Sequence, residues 1–129
     1  MAKKLVRKPI PKETRIKVYS KYDGHCAYCG KKIAYKDMQV DHFAPFFIYG
    51  DNQDIENLMP SCRSCNFYKS TYTLTVFREQ LKLLVSRLER DSFIFRLARD
   101  YGMITINEDK INNLEFLFEK FDKNNEVKK

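Results

Sequence analysis

The chain has 129 residues, with 24 Lys and Arg against 17 Asp and Glu, 4 Cys, 2 His and no Trp. That length suits one domain with a real core, and 43% apolar with 32% charged residues is an ordinary globular balance that argues against a disordered chain. No apolar run approaches the ~18–20 residues of a membrane span, and no apolar stretch follows the basic start Met1-Ala2-Lys3-Lys4, so neither a membrane protein nor a secreted disulfide scaffold is expected. The net charge of +7 is uneven: residues 1–40 hold 11 Lys and Arg against 3 Asp and Glu, so the whole excess lies ahead of Asp41. Such a segment fits either a solubilising arm or the electrostatic footprint of nucleic acid; a membrane surface fits less well, for want of a long amphipathic face.

In chain order, residues 1–11 read as a basic arm, irregular at Pro9-Ile10-Pro11. A helix is predicted from Lys12 to Tyr22, with Pro11 in its first turn and Asp23-Gly24 at its end. Residues 25–35 form a cysteine-bearing turn. A strand covers Met38–Phe43 and stops at Pro45; Gly50-Asp51-Asn52 supplies turn chemistry to the loop that follows. A second short strand lies near Asn57–Met59, then a helix from Ser61–Cys62 to Lys69. Leu74, Phe77, Leu81, Leu84, Val85 and Leu88 keep a 3.6-residue period, predicting one long helix over Leu74–Arg90. Ser92 caps another helix that ends at Gly102. Met103–Ile106 reads as a strand. Residues 111–121 fit a helix or, by alternation of Leu114, Phe116 and Phe118, a strand; a closing hairpin is the favoured reading.

The four cysteines form two matching pairs, Cys26-x2-Cys29 and Cys62-x2-Cys65. Two intervening residues let a tight turn aim both sulfurs at one point, and two such knuckles complete a closed tetrahedral site, so a structural zinc is expected. An intracellular, cytoplasmic setting keeps thiols reduced, which disfavours disulfides; two matched knuckles disfavour a redox dithiol. The gap between the pairs exceeds the ~15–20 residues of a simple ribbon. The zinc would clamp the base of an inserted segment.

That insert and its exit carry Val40-Asp41-His42-Phe43-Ala44-Pro45, then Asn57-Leu58-Met59-Pro60, then Cys65-Asn66-Phe67-Tyr68-Lys69-Ser70. Over about residues 12–72 the chain resembles the HNH endonucleases, the zinc-clamped branch of the ββα-metal (His-Me finger) nucleases. The CxxC, the apolar-Asp-His-x-x-Pro strand, the Asn-Leu-x-Pro-x-Cys-x-x-Cys-Asn run and the following Lys occur in the family's order. The resemblance implies an α+β fold: a ββα-metal finger (12–72) with a four-cysteine zinc site and an N-terminal helix, then a mainly helical extension (73–129) in the same compact domain.

The implied activity is metal-dependent hydrolysis of DNA, preferably double-stranded, leaving 5′ phosphate and 3′ hydroxyl ends. A water nucleophile at neutral pH needs a base, for which histidine is suited. A divalent cation supplies charge at the phosphate and the leaving oxygen. By the resemblance, His42 is the general base, and Asp41 and Asn66 are oxygen ligands for Mg²⁺ or Mn²⁺. Asn57 pins the loop that orients His42. Lys69, three residues beyond Asn66 on one helix face, and Arg63 contact substrate phosphate. Asn66 stands where the family's name places a final histidine; one carboxylate with one amide predicts weak cation binding. Phe43, Phe46, Phe47 and Tyr49 read as loop packing or as a stacking wedge against DNA. One site cuts one strand, so a double-strand break needs a homodimer, a protein partner or two events. The competing readings are a non-catalytic zinc-containing DNA-binding module and a component of a phage or restriction machine active only with its partner.

Overall fold

The computed structural model describes residues 8–44 and 50–127. Arm residues 1–7, the strand-ending Pro45 and the wedge candidates Phe46, Phe47 and Tyr49 lie outside the described residues. The chain divides into two compact units, one running to Thr73 and resuming at Phe116, the other spanning Leu74–Glu115.

The first unit opens with helix α1, Lys12–Ser20. Pro11, whose missing N–H costs nothing at a helix start, accepts from Arg15 through its carbonyl at 3.0 Å. The helix closes with Gly24 N–H on the Tyr19 carbonyl at 3.1 Å. Gly24 has φ +80°, and a Cβ there would come within 2.9 Å of the Tyr19 hydroxyl oxygen, so glycine serves both the turn and the close approach. Val18 buries completely as α1 packs against strand β2.

Strand β1, Gln39–His42, pairs antiparallel with β2, Leu58–Ser61, placing Asp41 opposite Met59 and His42 opposite Leu58. Every residue of β2 is buried. Pro60 is tolerated because its carbonyl is what the structure uses: it accepts the Ala27 N–H of the first cysteine turn at 2.8 Å. The Lys21 ammonium donates to the carbonyls of Ile55 at 2.8 Å and Leu58 at 3.0 Å, fixing the entry to β2. Helix α2, Arg63–Lys69, starts two residues after β2 and packs on β1.

The second unit holds α3 (Leu74–Lys82), α4 (Leu84–Asp91), α5 (Phe93–Asp100) and α6 (Glu108–Asn112). The single helix expected over Leu74–Arg90 is broken at Leu83, whose N–H reaches back three residues to Gln80 at 3.2 Å. Leucine favours helix, so propensity does not account for the break; the Arg87 guanidinium spans it by donating to the Gln80 side chain at 2.6 Å. Ser92 caps α5 through its hydroxyl, which accepts from Phe95 N–H at 3.1 Å. The helix ends at Asp100 and is closed past Tyr101 and Gly102, where Met103 N–H returns to Ala98 at 2.9 Å.

Two expectations for the tail are corrected. Residues 103–106 form no strand, and no strand follows Ser61 among the described residues. The hairpin over 111–121 is replaced by α6 and by α7, Leu117–Val127. The alternation that suggested a strand has another cause. Leu117 and Phe118 N–H donate to the carbonyls of Tyr28 at 3.1 Å and Ala27 at 2.9 Å, while Phe116 is buried and stacks with Phe118 at 6.0 Å. The segment returns to the first cysteine turn. No described helix is long and apolar enough to cross a membrane.

Candidate active site and metal centre

The first cysteine turn is closed by Cys26 N–H on the Lys31 carbonyl at 2.8 Å and Gly30 N–H on the Cys26 carbonyl at 3.1 Å. The second sits at the start of α2, where Cys62 is the N-cap and its sulfur accepts from Cys65 N–H at 3.4 Å. The turns bring the sulfurs of Cys26, Cys29, Cys62 and Cys65 within 4.8 Å of one another. A tetrahedral thiolate site with ~2.3 Å bonds has sulfur–sulfur edges of about 3.8 Å; the Cys29–Cys62 separation is 3.8 Å. The Cys26 thiol is pushed down to about 4, foremost by a hydrogen bond from Cys65, whose own thiol that bond pushes up. Burial raises Cys29. One thiolate is thus stabilised by its neighbours' protons, the protons that a metal ion displaces on binding. The four-cysteine cluster can hold a metal ion.

Beyond the cluster, β1 carries Asp41 and His42 side by side, both buried at 6% and 4% exposure. Asp41 Oδ2 accepts from the Tyr28 hydroxyl at 2.5 Å and lies 3.0 Å from the Lys69 ammonium. That ammonium also donates to the His42 carbonyl at 3.3 Å. Burial first, then the Asp41 charge, pushes the Tyr28 hydroxyl well above its usual range and keeps it a donor. His42 Nε2 lies 3.0 Å from Asp51 Oδ1. The other Asp51 oxygen accepts the Lys8 backbone N–H at 2.7 Å and the Gln53 amide at 3.2 Å. These contacts, the Lys8 bond foremost, hold the Asp51 carboxyl below the usual carboxylate range.

Asn57 is buried where the loop rejoins β2. Its Oδ1 accepts Ala44 N–H at 2.7 Å, its Nδ2 donates to the Asn52 carbonyl at 2.8 Å, and its own carbonyl accepts Phe43 N–H at 2.7 Å. Both ends of the loop after His42 are therefore tied to one residue. Asn66 is half-buried in the middle of α2, and Arg63 is exposed in its first turn.

Lys69, expected to contact substrate phosphate, is set in the fold against Asp41. Its side chain is fully buried and its charge is matched by Asp41. The shared face of Asn66 and Lys69 is turned toward β1 at the lysine end, where Lys69 supplies the counter-charge that a buried carboxylate needs. Two residues escaped the sequence reading. Tyr28 is not singled out by the sequence, and Asp51 reads as turn chemistry; neither has a local signal, since each meets its partner only through the fold.

Residues 26–71 match the family model HNH endonuclease. The chain is 29% identical over 58 residues to a CRISPR-associated endonuclease Cas9 from Corynebacterium diphtheriae, and 36% identical over 55 residues to one from Actinomyces naeslundii. These matches cover 45% and 43% of this chain but 5% of each relative. The cysteine cluster, the Asp41-His42 strand and helix α2 all fall within residues 26–71, the stretch that matches the HNH endonuclease family model.

Proposed function

We propose that the protein is a metal-dependent endonuclease that nicks DNA by hydrolysing a phosphodiester, with His42 as general base. The observation that carries this reading is a buried histidine held through Nε2 by the Asp51 carboxylate, beside the Asp41 carboxylate, inside the stretch that matches the HNH family. A carboxylate only accepts, so the tautomer this contact favours carries its proton on Nε2 and leaves Nδ1 as the basic nitrogen. Nδ1 then takes the proton of the attacking water, and Asp51 stabilises the imidazolium that forms. Asn57, by tying Ala44 and Asn52, holds the backbone on which His42 rides.

Asp41 and Asn66 supply hard oxygen donors suited to Mg²⁺ or Mn²⁺. Their elements meet, since Lys69, one turn beyond Asn66, reaches Asp41 at 3.0 Å. Such a cation, held by these two residues, would supply positive charge to the scissile phosphate and the leaving 3′ oxygen. Arg63, exposed on α2, is positioned to neutralise a neighbouring phosphate. The four cysteines hold a structural zinc: the closed four-sulfur set leaves no open position for chemistry, and an intracellular setting keeps the thiols reduced. Double-stranded DNA is the proposed substrate, with the basic arm adding phosphate contacts. The ββα-metal finger is the corresponding fold assignment, its two strands and helix being β1, β2 and α2.

The test is incubation of supercoiled plasmid with the zinc-loaded protein and Mg²⁺ or Mn²⁺, followed by DNA ligase without a kinase. Open circles that the ligase reseals report a nick with 5′ phosphate and 3′ hydroxyl ends. Open circles that resist resealing contradict the proposed products. An uncut plasmid that the protein retains in a salt-sensitive manner would favour a binding module.

A further inference from the structure

We infer that Tyr28 is a positioning residue that couples the four-cysteine cluster to the cation-binding carboxylate of Asp41. The inference rests on the nuclease reading above and deepens it. Tyr28 lies inside the first cysteine turn, between Cys26 and Cys29, so closure of that turn fixes its backbone. Its hydroxyl and the Lys69 ammonium converge on the same oxygen of Asp41, Oδ2, at 2.5 and 3.0 Å. Two donors on one oxygen set the rotation of the carboxylate and direct Oδ1 toward a cation. Lys69 comes from α2 and Tyr28 from the cysteine turn, so the carboxylate is gripped from both elements that the sulfurs join.

The tyrosine is itself braced from behind. Its ring meets Phe116 edge-on at 5.5 Å and Phe118 at 6.2 Å, and its carbonyl accepts Leu117 N–H at 3.1 Å. A ring held on that side cannot follow Asp41 if the carboxylate swings. Packing alone needs only the ring; the hydroxyl is what reaches the carboxylate. The residue is therefore a strut between two metal sites: the cysteine turn sets the tyrosine, and the tyrosine sets the ligand. Partners that orient a ligand in this way typically change metal affinity 10–100-fold when removed.

Tyr28→Phe removes the hydroxyl and keeps the ring. On the full zinc-loaded chain without DNA, three quantities are measured: zinc per chain, thermal midpoint, and Mn²⁺ affinity from the free-Mn²⁺ EPR signal. The inference predicts wild-type zinc content with Mn²⁺ binding weakened roughly tenfold or more, and nicking partly restored by raising Mn²⁺. Unchanged Mn²⁺ affinity in the variant, beside a wild type that binds, overturns the inference and leaves the nuclease reading intact. Parallel loss of zinc and Mn²⁺ binding also overturns it, because the residue would then merely support the fold. A wild type that binds no Mn²⁺ removes the cation reading, and the inference falls with it.

Discussion

Replacing Lys69 by methionine separates the two roles a lysine could have at this position. Methionine keeps most of the apolar stem and deletes the charge. The Lys69 side chain is fully buried, its ammonium is 3.0 Å from Asp41 Oδ2, and Asp41 is itself 6% exposed. Removing one partner of such a pair strands a charge and costs about 3–5 kcal/mol. At about 2.1 cal/mol/K of unfolding entropy per residue, a chain of this length loses ~4 °C per kcal/mol, so the midpoint should fall by roughly 12–20 °C. Asp41→Asn strands the ammonium and should also destabilise the protein. The double variant strands neither charge and should lose well under the sum of the two single costs. Guanidinium unfolding of the four zinc-loaded proteins at pH 7 gives the coupling. If Lys69→Met shifts stability by no more than about 0.5 kcal/mol, as a surface substitution does, while nicking falls, the buried pair is refuted and the lysine faces substrate.

Three further outcomes are expected. Asp51→Asn should lower the nicking rate roughly 10–100-fold with little change in DNA affinity, because the amide can turn its NH₂ toward Nε2 and undo the tautomer; single-turnover rates beside filter binding check this, and an equal loss in both would place Asp51 in substrate binding. Cys62→Ser should release the bound zinc and unfold the first unit, read by metal analysis and circular dichroism, since the cluster is what joins the two turns. Tyr22 is pushed up to about 12, chiefly by burial and then by Asp122. The folded state keeps that proton where the unfolded chain releases it near pH 10, so the associated stability is present below pH 10 and lost as pH rises toward 12. Tyr22→Phe should therefore show a shallower alkaline decline over that window, and identical declines would contradict the assignment.

The parts of the molecule readable from sequence are those where chemistry demands a spacing. Two CxxC pairs demand tight local closure, and β1, β2 and α2 lie within a residue or two of their expected places, α2 starting at the second pair. The gripping contacts were not readable. Helical spacing puts Asn66 and Lys69 on one face, but it cannot say whether that face meets water or a strand, and Lys69 proved to be buried. Asp51 joins His42 across a loop, and Tyr28 joins Asp41 across the sheet; both pairings depend on how the insert closes, which no local pattern encodes. The break at Leu83 arises in a run of good helix formers. The tail was misread because alternation reports which side chains are buried, and Phe116 and Phe118 are packed by the first cysteine turn and not by a partner strand.

The most direct test of the central claim compares His42→Ala with the wild type on supercoiled plasmid in Mg²⁺, both proteins carrying full zinc. Nicking by the wild type that EDTA stops, with at least a 100-fold loss in the variant and DNA binding retained, is the predicted result, since a general base contributes ~10²–10⁴ in rate. Equal nicking by both proteins would contradict it and place the base elsewhere.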